Sequence, residues 1–170
     1  MNAIIKKYES RLGSNEEWEF WFAEQFNELR GVSGSTGSGM QKPSGGTSAA
    51  KEVDTAVYAD EVVSLINRER ENAGLHALEI DSDLTTHSEM RAEELSIQYS
   101  HVRPNGTKET SECIVMRRSS PAEAVQAWLD SSPHRDAILN ESGRFRYNYI
   151  GSGCYQDEKG ILYWVITFDV

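Results

Sequence analysis

Apolar residues recur along this chain in two rhythms, one with the spacing of helices and one with that of strands. Asp54 precedes a helical pattern with Val57, Val62, Leu65 and Ile66 on one side, and Gly74 is its stop, since glycine enters the left-handed region cheaply. A second helix, capped by Ser82 or Asp83, carries Leu84, Met90, Leu95 and Ile97 and ends near Tyr99, before Pro104 and Gly106 force a turn. The third has the sharpest start: Ser120 as cap, Pro121 in the first turn, Glu123 three residues on, then Val125, Trp128 and Leu129. Ser132-Pro133 repeats that pattern and opens a short helix through Leu139. Strand-like runs cover Glu112–Met116, Tyr147–Tyr155 and Ile161–Phe168, the last nearly continuous in apolar residues, as in a strand covered on both faces. The segment Gln156–Gly160 joins the last two as a hairpin. Helices before and between antiparallel strands predict an α+β fold, a three-layer α-β-α sandwich around a small antiparallel sheet.

Ahead of this region the pattern changes. Residues 31–53 are Gly/Ser-rich with almost no apolar content, which predicts a flexible linker. Before it, in residues 1–30, Trp18, Phe22, Phe26 and Leu29 follow the spacing of an amphipathic helix. That stripe docks on the C-terminal domain or on a second copy, making a homo-oligomer, or else is a groove-binding peptide for a protein partner. The expected organisation is therefore 1–30 helical segment, 31–53 linker and 54–170 folded domain.

Charge and composition narrow the class. A formal net charge of -10 repels phosphate backbones, so nucleic acid is not an expected partner. No transmembrane segment is expected, because no run approaches the ~20 apolar residues that span a bilayer. The opening MNAIIKKYES carries no visible signal peptide. The two cysteines, Cys113 and Cys154, permit one possible disulfide or two buried thiols, and spacing leaves both open.

Chemistry centres on histidine. Of the four, His76 lies in a connecting segment and His87 in mid-helix, and neither setting asks for a role. His101 lies where a helix stops and a tight turn begins. His134 is in the first turn of a helix, where the dipole disfavours an imidazolium and keeps the neutral ring that binds a metal or accepts a proton. Glu112, at the mouth of a strand, is a third candidate. Two imidazoles and a carboxylate converging in a surface cleft would suit zinc, with a position open for water or ligand. Their separations match no helical pair, so convergence rests on the fold.

The segments LINRERENAGLHAL (65–78), SHVRPNG (100–106), SECI (111–114), AVQAWLDSSPHRDAIL (124–139), YIGSGCY (149–155) and YWVITF (163–168) occur in the order of the CAP superfamily. The chain resembles its small bacterial extracellular members. That resemblance implies an α-β-α sandwich whose cleft is lined by two histidines and acidic residues, with a divalent metal such as zinc as cofactor in some members. It assigns His101 and His134 as the cleft histidines and metal ligands, and Glu112 as the glutamate of a Gly-Glu-Asn motif, with Glu109 as rival. The second family glutamate falls at Ser131. The motif glycine and asparagine are Ser111 and Cys113 here, and the segment from Gly106 to Glu112 is shorter than usual.

The function this implies is a secreted or surface-associated binding module whose cleft, with Ser131 at its rim, holds a divalent metal or a small-molecule or lipid ligand. Two alternatives remain: a hydrolase with zinc on His101 and His134 and Glu112 as catalytic base, and a carrier domain whose N-terminal helix mediates assembly.

Overall fold

The structure, a computed structural model, describes residues 51–170. The aromatic helix and most of the linker expected in 1–53 lie outside the described residues. Four helices and four strands follow: α1 (Thr55–Asn72), β1 (Glu79–Ile80), α2 (Ser82–Ile97), β2 (Glu112–Met116), α3 (Pro121–Asp130), α4 (Ser132–Leu139), β3 (Tyr149–Gln156) and β4 (Leu162–Asp169).

The helix starts follow side-chain capping. Asp54 accepts from the Val57 amide at 3.1 Å, and Ser120 from the Glu123 amide at 3.3 Å. The α2 cap is Asp81, one residue before the expected Ser82 and two before Asp83; its carboxylate accepts from both the Asp83 and Leu84 amides at 2.9 Å. Ser131 rather than Ser132 occupies the cap position of α4. At α3, Glu123 returns its carboxylate to the backbone and hydroxyl of Ser119, one residue before the cap.

The sheet order is β1-β3-β4-β2. β4 pairs antiparallel with both β2 and β3, as the sequence pattern requires. The purely antiparallel expectation is corrected by β1, which runs parallel to β3. With two residues it shows no periodicity and forms through register alone, Glu79 donating to Asn148 and Asp81 to Ile150 from the main chain. Tyr147 lies outside β3 and stacks on Phe168, with ring centroids 4.8 Å apart.

Neighbouring residues of a strand face opposite sides, so β4 reveals the layers. Trp164 stacks on Tyr58 of α1 at 5.7 Å, while Val165 joins Ala92 and Leu95 of α2 in one apolar cluster. α2 thus covers one face alone, and α1 and α3 cover the other, with α4 beside α3. This is the expected three-layer sandwich. On the α2 side, β3 presents Gly151 and Gly153 opposite Thr167 and Val165. A Cβ at Gly151 would collide with the backbone of Leu84 and Thr85, and one at Gly153 with that of Ser88 and Glu89. Only glycine lets the helix lie this close. Ser88 and Thr167 fill the seam with a 2.8 Å hydroxyl pair.

Two features of α2 depart from the sequence reading. Met90 and Ile97, assigned to its apolar stripe, are 43% and 76% exposed, whereas Ser88 and Arg91 are buried. The face turned to the sheet is instead set by Leu84, Ser88, Arg91, Ala92 and Leu95, at helical spacing, and Met90 and Ile97 lie off it.

The cysteine bridge left open by the sequence is not formed: Cys113 and Cys154 are free and buried. They pair across β4 with Ile166 and Trp164, so they share the α1 face but sit two strands apart. Two strand spacings amount to roughly 10 Å, beyond the reach of a disulfide.

Candidate functional site

The site begins at the first residue of β2. Pairing with Thr167 directs the Glu112 side chain to the α2 face, where it meets Arg91. The guanidinium grips the carboxylate at two points, Nε to Oε2 at 3.0 Å and Nη2 to Oε1 at 3.0 Å. His101, in the turn after α2, brings Nδ1 to 2.9 Å from Oε1. Burial alone would raise the Glu112 pKa, but the hydrogen bonds and positive charges of His101 and Arg91 outweigh it and hold the carboxyl below its ordinary range. An ionised carboxylate only accepts, so Nδ1 of His101 must carry a proton, and in the neutral ring Nε2 carries the lone pair.

Arg91 is fixed in turn. Its Nη1 donates to Glu94 at 2.8 Å and its Nη2 to the Ser100 carbonyl at 3.0 Å. Glu94 accepts from Arg103 at 2.7 and 2.9 Å, and Arg103 reaches Glu109 at 3.3 Å. Glu109 closes the series against His87 Nε2 at 3.2 Å. Charges alternate from Glu112 to Glu109, so each of these ions lies beside an opposite one. Glu109, the rival to Glu112, is held by Arg103 and His87, and its backbone amide donates to the His101 carbonyl at 2.8 Å.

His134 comes from α4, on the opposite layer. Its pKa falls to about 3, first through burial and second through the charge that His101 carries when protonated. The neutral ring expected from the helix dipole is therefore present, with desolvation as its main cause. Ser131 sits at the α3–α4 junction, its carbonyl accepting from the Arg135 amide at 2.8 Å.

Two expectations change. His101, Glu112 and His134 are each 3% exposed, so they are buried side chains rather than the walls of an open cleft. Glu112 is also unsuited to the role of base toward a bound water: both its oxygens already accept from Arg91 or His101, and its proton affinity is depressed. It acts on His101 instead.

A divalent metal must be tested against this donor set. The neutral His134 ring and a His101 ring with its Nδ1 proton directed to a carboxylate are both suitable nitrogen donors, the latter in the familiar carboxylate–histidine arrangement. Glu112 is taken up by Arg91 and adds no third ligand, and among the described residues no three His, Cys, Asp or Glu side chains are grouped to hold an ion. The donor set thus offers at most two imidazole nitrogens, from His101 and His134, and not a closed structural site. Cysteine chemistry has less support: burial, helped by Glu112, raises the Cys113 thiol well above its usual range, and burial pushes Cys154 up to about 12.

Arg91, Glu94 and Arg103 carry much of this geometry and were missed from sequence. The available signal was Arg91 itself, seven residues after Leu84 and three after Ser88 on the stripe of α2 that faces the sheet. An arginine at a core position needs acidic partners.

The fold is thus an α-β-α sandwich with a buried histidine–glutamate pair at the head of an edge strand. The chain belongs to the CAP, or cysteine-rich secretory protein, family, whose pattern matches residues 63–168. It is 30% identical over 122 residues to YkwD of Bacillus subtilis, an alignment covering 63% of this chain and 45% of that protein. The chain thus spans less than half the length of this curated relative. Its fold resembles an outer surface protein of Borrelia burgdorferi, with a TM-score of 0.60 and 22% identity over 70% of this chain and 96% of that one. It also resembles an SCP-domain extracellular protein of Bacillus anthracis, with a TM-score of 0.54 and 20% identity over 68% and 41% of the two chains.

Proposed function

We propose that this chain is a binding module acting outside the cell or at its surface, and that His101 and His134 together hold a divalent ion such as zinc, to which a small ligand attaches. The observation that carries this reading is the pairing of two differently prepared imidazoles. One has its Nδ1 proton directed to Glu112 by hydrogen bonding, and the other stays neutral down to about pH 3. Neutral rings with a defined tautomer are what a borderline cation requires of histidine. When bound, the ion would supply open coordination positions for water or a polar ligand group. The extracellular setting is supported by the two structural relatives, an outer surface protein of Borrelia burgdorferi and an extracellular protein of Bacillus anthracis.

Zinc titration by calorimetry, comparing the wild-type domain with the double variant His101→Ala/His134→Ala, tests the reading. The expected outcome is uptake of one equivalent by the wild type and weakening by at least about tenfold in the variant. Equal uptake by both proteins would eliminate the site.

A further inference from the structure

The Glu112–His101 contact is only as well defined as the group that holds Glu112. We propose that Arg91 is the positioning residue of the site: its two-point grip on Glu112 fixes the carboxylate so that His101 is kept in the Nδ1–H form with Nε2 as donor. The inference deepens the binding role proposed for His101 and His134, and rests on that reading only for its effect on affinity.

The geometry supports this in three ways. First, Arg91 and Glu112 side chains are both 0% exposed, so neither has water as an alternative partner. Second, the guanidinium is overdetermined: Glu112, Glu94 and the Ser100 carbonyl all receive its protons. Ser100 adjoins His101, so one side chain fixes both the carboxylate and the backbone leading to the ring. Third, Oε1 of Glu112 accepts from both Arg91 Nη2 and His101 Nδ1. A displacement of the guanidinium therefore displaces the oxygen that selects the tautomer. Lysine cannot reproduce this grip, because a point charge lacks the planar fork that engages both carboxylate oxygens.

The test uses the full chain with Arg91→Lys, Arg91→Met and Glu112→Gln. Long-range proton–nitrogen spectra at pH 8 report the imidazole tautomer with no ligand present, and cobalt titration reports binding separately. In the wild type His101 should appear as a single Nδ1–H form. Arg91→Lys should give a mixture of the two tautomers and cobalt binding weaker by about 10- to 100-fold. Arg91→Met and Glu112→Gln should resemble one another, and their combination should be no worse than either alone, since they interrupt one path. Should Arg91→Met fail to fold, the lysine variant, which keeps the charge, provides the reading. A folded Arg91→Lys protein with the wild-type tautomer would overturn the proposal. A wild type that shows the Nδ1–H form, loses it in Arg91→Lys and binds no cobalt would uphold the positioning role and refute the metal reading alone.

Discussion

At the level of single residues, the energetics concentrate on ions without access to water. Glu112→Gln keeps the side chain's shape and removes its charge, leaving Arg91 buried with Glu94 as its remaining acidic partner. Breaking a buried pair from one side costs about 3–5 kcal/mol, and the urea midpoint should fall accordingly; a loss below about 1 kcal/mol would mean that the interior relaxes around the cation. His134 has a different signature. Its folded pKa of about 3 lies below the ordinary 6.5, so between these values the unfolded chain binds a proton that the folded chain does not. Stability is therefore fully present above pH 6.5 and declines as the pH falls toward 3. From pH 6.5 to 5, before the carboxylates titrate, His134→Asn should reduce the slope of stability against pH by up to about 1.4 kcal/mol per unit. An unchanged slope would show that His134 is not the group responsible. Both histidines were visible in the sequence because each sits at a helix boundary. The guanidinium between α2 and β2 was not, because a cation on a helix stripe reads as solvated until its acidic partners, distant in the chain, are in place.

For the elements, the contact of α2 with β3 is the most constrained. Gly151→Ala would set a methyl group against the backbone of Leu84 and Thr85, which cannot rotate away as a side chain can. The expected cost is about 3 kcal/mol or more, at the upper end for overfilled interiors, and thermal unfolding measures it. A cost near zero would mean that the helix shifts freely. The caps at Asp54 and Ser120 were legible because capping is local chemistry, decided within three residues. The cap of α2 was displaced by one residue because Asp81, Ser82 and Asp83 are all good caps, and the choice falls to Asp81, whose main-chain amide also donates to Ile150 of β3. Strand β1 was illegible for a related reason, since two residues pair only where α1 and β3 present a place for them.

Across the whole molecule, the three-layer arrangement followed from the order of helical and strand-like segments, and the buried character of the site did not. Nothing in the spacing of His101, Glu112 and His134 indicates which layer covers them. The two cysteines show the same limit, because their state depends on an intervening strand. In denaturant without reductant both thiols should titrate, and in the native protein neither should react at a comparable rate; finding fewer than two thiols on denaturation would require a different sheet order. Among the described residues, no helix is long and apolar enough to cross a membrane.

The bare glycine track on β3 has an implication for how this fold tolerates length changes. It acts as a gauge that sets the rotation of α2, because the helix can seat there only with Leu84 and Ser88 against the strand. A single residue inserted between Ser88 and Arg91 would turn everything beyond it by about 100°, carrying the guanidinium away from the strand that supplies its acid. Lineages of this domain should therefore keep the count along this helix constant.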